Sequence, residues 1–403
     1  MTKLFRVFTL STNQQSAYRA RGNEIDKEEK IYLNLRKHLD RLPVSYPSTE
    51  SGVELRILKH LFTPQEAKIA TQLSMIQEPV ERIYERVKRS GLSIVQLQVI
   101  LDEMVHKGSI LGRKKGDKTL YRNAPLSLGM YEFQVDRLPK NFAEDWLQYL
   151  DEAYAHAQYK TGIPQLRTVP VGKSIPLPEK YQVSDYDNVK KLVENAPGPI
   201  AVSNCICRQV KDLAGQSCTT TELRETCLII TPDEAEYFIN VGIGRLVTKE
   251  EAFDILEKAQ EAGLVLQPIN SQRPEAICCC CGDCCEILLS VKKFPRPSDL
   301  YASNYYAEVD PEICTGCQIC VQRCQLEAAV MSDFTATINL HRCIGCGNCV
   351  VSCEPNAIQL KKKEQEVLPP KDMIDLQMKI LSRKVGKLGL LKVAAKMMLK
   401  QKV

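Results

Sequence analysis

One cysteine spacing occurs twice near the end of the chain, as Cys314, Cys317, Cys320 and Cys324 and again as Cys343, Cys346, Cys349 and Cys353. Each run reads C-x2-C-x2-C-x3-C. Three cysteines two residues apart on a glycine-bearing loop can wrap three corners of one cube, and the fourth corner must come from elsewhere. Eight thiolates is the number that two [4Fe–4S] cubanes require, and in this pattern the last cysteine of each run crosses to the other cube. The expected ligand sets are therefore Cys314, Cys317, Cys320 and Cys353 for one cluster, and Cys343, Cys346, Cys349 and Cys324 for the other. Structural zinc uses paired C-x2-4-C knuckles, not doubled triplets. Gly316, Gly345 and Gly347 allow close backbone approach to the sulfurs, and Ile313, Ile319, Ile344, Val350 and Ile358 are expected to keep water off the cubes.

From about Tyr305 to Leu360 these residues resemble the bacterial two-[4Fe–4S] ferredoxin domain. The resemblance implies a βαββαβ fold with pseudo-twofold symmetry and a role in one-electron relay. The chain departs from it where a proline usually follows the fourth cysteine. Gln325 stands there in the first half and Glu354 in the second, with Pro355 one position late. Neither residue ligates iron, so both clusters are expected to form.

A chain of 403 residues exceeds one compact core and implies two to four domains. We expect an α+β multidomain protein. Eighteen cysteines without a secretory signal favour metal in a reducing compartment over disulfides. The stretch from Leu4 to Leu10 is too short for an export signal and is broken by Arg6, and no run of eighteen apolar residues occurs. The expected location is the cytoplasm. From residue 371 to 403 lysine and arginine exceed acids by seven, so the net charge of +5 belongs to the tail.

Residues 1–62 read as an N-terminal segment with a helix from about Glu24 to Leu42. Residues 63–123 follow as three short helices and a hairpin, an order that resembles a winged helix-turn-helix. Its third helix offers Gln96, Gln98, Asp102 and Glu103, and only the wing (Arg113, Lys114, Lys115, Lys118) is basic. A DNA reader needs cations against phosphates, so protein docking is the expected use. Residues 124–199 carry a helix from Phe142 to Tyr159, with Trp146 as a core residue, and then a proline-rich belt. In the tail, 371–403, Leu388, Leu391, Ala395 and Met398 line one side of a helix and Lys392, Lys396 and Lys400 another. Such a helix fits an acidic partner or an anionic membrane surface, or its own protein.

Residues 200–290 hold the other ten cysteines: Cys205, Cys207, Cys218, Cys227, the run Cys278, Cys279, Cys280 and Cys281, then Cys284 and Cys285. Adjacent cysteines project differently, so the run of four cannot serve one ion. A third iron–sulfur cluster, a structural zinc at the Cys281–Cys284 knuckle, and redox-active thiols are the open readings. Cys205, Cys207, Cys218 and Cys227, on separated loops, are the expected set for one site. The order of modules is similar to multidomain 4Fe–4S binding proteins of anaerobic bacteria and archaea. The expected function is single-electron relay to a partner oxidoreductase. A redox-sensing regulator, or a reductase acting at the middle cysteines, is the alternative.

Overall fold

Two capping boxes start the N-terminal module. Thr63 and Ser93 each accept a hydrogen bond from the backbone N–H three residues on, and Glu66 and Gln96 each accept one from the Thr63 and Ser93 N–H in return. They open the helices Pro64–Ala70 and Ile94–His106, with Val80–Val87 between. In the computed structural model, which describes residues 27–171, 187–398 and 402, these helices lie beside a small antiparallel sheet. Its strands are β1 (Glu78–Pro79), β2 (Ile110–Lys115) and β3 (Lys118–Asn123), in the order β1-β3-β2. The polar opening of the chain, the central part of the proline-rich belt and most of the last five residues fall outside the described residues.

The module is docked through its wing. Arg113 on β2 pairs with Glu234 and lies 4.6 Å from the centre of the Tyr237 ring, and the Tyr237 hydroxyl donates to Val105 O at 2.9 Å. Both partners belong to the helix Pro232–Asn240 of the middle domain. At the core of the module His38 is buried, its Nε2 3.1 Å from Leu73 O and 2.8 Å from Asn123 Nδ2. Burial, with Lys402 adding, pushes its pKa down to about 4. The unfolded imidazole, at its ordinary value of about 6.5, takes up a proton that the folded one refuses. Stability present above that value is therefore lost as pH falls, by roughly 2 kcal/mol between pH 6.5 and 5. Urea midpoints of wild type and His38→Gln across this range should show the slope in the first and not in the second.

The helix expected over Phe142–Tyr159 runs through Lys140–Tyr149 and Ala155–Tyr159, with one wide turn over Leu150–Tyr154 between them. Trp146 is buried and stacks on Tyr131 at a ring separation of 3.9 Å. After it, residues 166–171 lie along other elements as an extended strap. Val169 N–H donates to Leu266 O at 3.1 Å, Thr168 N–H to Ala302 O at 3.0 Å and Val171 N–H to Cys346 O at 2.9 Å.

The middle domain is an antiparallel five-stranded sheet of β4 (Ile200–Asn204), β5 (Glu225–Ile229), β6 (Arg245–Val247), β7 (Val265–Pro268) and β8 (Ala276–Cys280), in the order β6-β4-β5-β8-β7. Strand residues alternate between faces. Val202, Leu228, Leu266, Ile277 and Cys279 face the helix Lys249–Glu261, whose Ala252, Leu256 and Ala259 fill the same core. The C-terminal domain follows as β9 (Tyr305–Val309), a short helix Ile319–Arg323, β10 (Ala329–Ser332), β11 (Thr335–Ile338), a short helix Asn348–Val351 and β12 (Ile358–Lys362). β9 pairs with β12 and β10 with β11, both antiparallel. The whole is a mixed helix and strand protein with small separate sheets.

The tail is not one continuous amphipathic helix. Gly386, at φ 69° and ψ 177°, breaks Met373–Met398. Before the break Leu376, Ile380 and Leu381 are buried, and Lys384 Nζ donates to Asp40 O and Leu42 O at 2.5 and 2.7 Å. After it Leu388 is 78% exposed and Leu391 and Met398 are exposed as well. Among the described residues no helix is long and apolar enough to cross a membrane.

Candidate iron–sulfur and metal centres

Each half of the C-terminal domain brings its cysteines to a loop with left-handed backbone. Gly316 and Gly345 have φ of 71° and 65°, and a Cβ there would stand 2.5 Å from Phe334 O and 2.3 Å from Tyr305 O respectively. Only glycine fits. The residue before each short helix is left-handed too, as Gly347 in one half and Gln318 in the other.

Cys324, Cys343, Cys346 and Cys349 line one cavity, walled by Val265, Leu326 and Ile344. The first run's last cysteine thus lies with the second run. Ala307 N–H donates to Cys343 Sγ at 3.4 Å and Ala328 N–H to Cys324 Sγ at 3.1 Å. Burial pushes Cys346 up to about 12, so the thiol keeps its proton unless a cation takes its place. Cys320 is raised first by burial, and the neighbouring Cys314, Cys317 and Cys353 add to it. Ala336 N–H donates to Cys314 Sγ at 3.4 Å. Four sulfurs at corners, amide donors aimed at them and loops that admit only glycine are a donor set suited to a cubane.

The two foursomes differ in exposure, and here the expectation for the apolar shield needs correction. Ile344 is buried beside the inner foursome and Ile358 in the core that both runs share, but Ile313 is 46% exposed and Ile319 37% exposed, as are Cys317 and, at 88%, Phe334. Flanking apolar residues of the first loop face outward because no other element of the described chain covers them.

The ten middle cysteines divide by strand alternation. Cys227 on β5 stands opposite Cys278 on β8, and cross-strand partners share a face, which Cys280 joins two residues on. Cys205 and Cys285 precede the helices Ile206–Leu213 and Glu286–Lys292, with Cys207 in the first turn. These six line one interior chamber, which Cys279 between Cys278 and Cys280 also borders, with Ser127, Glu132, Gln158 and Gln165 on its other walls. The hydrogen bond to Cys207, then burial, pushes Cys205 well above a thiol's usual value, and the bond to Cys227, opposed by Cys280, does so for Cys278. Glu286, the residue after Cys285, is buried: Trp146 Nε1–H donates to its Oε2 at 2.5 Å and Tyr131 hydroxyl to its Oε1, while burial raises it to about 7.

Cys218 does not join Cys205, Cys207 and Cys227. It sits with Cys281 and Cys284, in the same core as Cys279, on the face of β8 that looks away from the chamber. Cys279 itself packs as a buried apolar group. The expected set of four is thus divided, because the sheet lies between its members.

Three further residues take parts that the sequence did not assign them. Arg208 is fully buried between the two cysteine groups; its Nη1–H donates to Thr226 Oγ1 at 2.6 Å and its Nη2–H to Cys279 O at 3.1 Å, while Nε has no partner. Burial works to lower its pKa, and the thiols of Cys205, Cys281 and Cys280 override that and raise it. Gln325, in place of the usual proline, joins the domains: its Nε2–H donates to Gly263 O at 3.1 Å and its Oε1 accepts from Gly282 N–H at 2.6 Å. A side-chain amide where a family shows proline was the available signal. Asp283 completes the Cys218 group.

No curated protein and no solved structure matches the chain. A family model, the 4Fe–4S dicluster domain, matches residues 313–366, and this part of the chain is an iron–sulfur, ferredoxin-like domain.

Proposed function

We propose that the protein is an iron–sulfur electron-transfer subunit that passes single electrons between a partner at its surface and its own interior. Cys314, Cys317, Cys320 and Cys353 would hold an outer [4Fe–4S] cluster, Cys343, Cys346, Cys349 and Cys324 an inner one, and the six chamber cysteines a third iron–sulfur group. Such clusters, when bound, supply reversible one-electron chemistry with little change in structure. The observation that carries the reading is the gradient of exposure. The outer foursome lies at a surface rimmed by Ile313, Ile319 and Phe334, suited to a redox protein that docks by apolar contact. The inner one is enclosed, and Cys346 packs in the same apolar cluster as Cys280 and Cys285 of the chamber.

The chain's own residues do the positioning. Gln325 and the strap over 166–171 hold the inner foursome against the middle sheet. Leu326, Ile344 and Val265 exclude water from it. The wing's Arg113 is engaged with Glu234 and Tyr237, and the third helix exposes Val95 and Val99 beside Gln96 and Gln98. We therefore infer a docking role for that module over DNA binding. The reductase reading draws on one feature, the chamber wall residue Gln158, whose buried Oε1 has no partner and faces a space that a small substrate would enter.

Iron and sulfide analysis of anaerobically purified protein tests the proposal. About twelve iron per chain are expected, falling to about eight in Cys278→Ser/Cys280→Ser, with a visible band that dithionite bleaches reversibly. Folded protein without iron, or a double variant that keeps all its iron, would sink it.

A further inference from the structure

On the face of the middle sheet away from the chamber, four donor atoms converge more tightly than a cubane permits. The sulfurs of Cys218, Cys281 and Cys284 and a carboxylate oxygen of Asp283 all lie within 4.8 Å of one another. Cys218 Sγ is 3.6 Å from Cys281 Sγ and 3.6 Å from Asp283 Oδ1. A tetrahedron drawn around one ion with metal–sulfur bonds of about 2.3 Å has sulfur–sulfur edges of about 3.8 Å. Thiolates on a cubane each bind a different iron and stand farther apart. The three cysteines are buried, and the pair Cys281 and Cys284 has knuckle spacing across Gly282 and Asp283.

The carboxylate is already aimed. Asp283 Oδ2 accepts from Thr219 N–H at 2.7 Å, Thr219 Oγ1–H at 2.9 Å and Thr220 N–H at 3.1 Å, which leaves Oδ1 to face the sulfurs. Outer hydrogen bonds of this kind fix a ligand's orientation. Three thiolates and a carboxylate around a divalent ion leave a net charge of minus two, and the Arg208 guanidinium lies beside Cys281 to offset part of it.

We propose that Cys218, Cys281 and Cys284 through Sγ, and Asp283 through Oδ1, bind a single zinc ion. Soft thiolates in a closed four-coordinate set select zinc over harder divalent ions. The ion would clamp the loop carrying Cys218 to the turn 281–284. Gly282 in that turn donates to Gln325, the residue after Cys324, so the clamp also steadies the seat of the C-terminal domain. This site is separate from the iron–sulfur reading and stands or falls without it.

Metal analysis and zinc-edge X-ray absorption on the anaerobically purified full chain decide the matter. The expected result is about one zinc per chain, with three sulfurs at about 2.3 Å and one oxygen at about 2.0 Å. Cys218→Ser should lose the zinc and keep its iron, and Asp283→Asn should release zinc to a chelator about tenfold faster. If Cys218→Ser does not fold, the wild-type spectrum and Asp283→Asn still decide. Absence of zinc from folded wild type, a shell without the three sulfurs, zinc unchanged in both variants, or iron lost in place of zinc would each overturn the assignment.

Discussion

Cys324→Ala should cost the protein its inner cluster although Cys324 belongs to the first cysteine run, and Cys353→Ala should cost it the outer one. The expectation follows from the cavity in which Cys324 joins Cys343, Cys346 and Cys349, and from the crossed pattern that pairs Cys353 with Cys314, Cys317 and Cys320. Removing a corner leaves three thiolates and, for Cys324, an Ala328 N–H with no sulfur to meet. Iron per chain should fall by about four in each variant, with a different paramagnetic signal lost from the reduced protein in each case. Crossed ligation would tie the two halves together, so losing either cysteine should also lower the thermal midpoint of the loaded protein. If each variant disabled only the site of its own run, the crossed assignment would be wrong.

Arg208→Met should destabilise the loaded protein by about 3 kcal/mol while leaving the metal-free chain nearly unchanged or slightly more stable. A fully buried guanidinium whose bonds go to a hydroxyl and a carbonyl carries a desolvation cost of several kcal/mol. Thr226 and the Cys279 carbonyl supply dipoles, not charge. Cys205, Cys280 and Cys281, all raised above a thiol's usual value in the metal-free chain, would supply the compensating charge as thiolates once metal holds them. Losing the cation should also move the reduction potential of the interior group downward, since an added electron meets less positive charge. Unfolding curves of loaded and metal-free protein, with a potentiometric titration, measure both effects. Equal destabilisation in the two states would show that Arg208 acts by packing alone.

The eight-cysteine repeat was legible because its chemistry is local in each run: spacing and glycine together shape a loop that can hold three corners of a cube. The βαββαβ order of elements in the C-terminal domain followed from the resemblance those residues carry. The three short helices and the hairpin of the N-terminal module were legible too, since their starts are set within one turn, as Thr63 with Glu66 and Ser93 with Gln96 show.

Exposure was not legible. Ile313 and Ile344 each adjoin the first cysteine of their run, yet only Ile344 is covered, because Leu326, Val265 and the middle sheet pack on that side. The middle cysteines could be counted but not sorted. Period-two alternation in β8 sends Cys278 and Cys280 to one face and Cys279 to the other, and only the pairing of β5 with β8 brings Cys227 opposite Cys278. Likewise Asp283 and Cys218 lie far apart along the chain and meet through hydrogen bonds that a linear reading does not contain. The sequence by itself determined that iron–sulfur loops of a set spacing would form, since those contacts span a few residues. Which cysteines share a site, which site meets solvent and what neutralises a buried arginine were decided by tertiary structure, because each depends on surfaces brought together from distant parts of the chain.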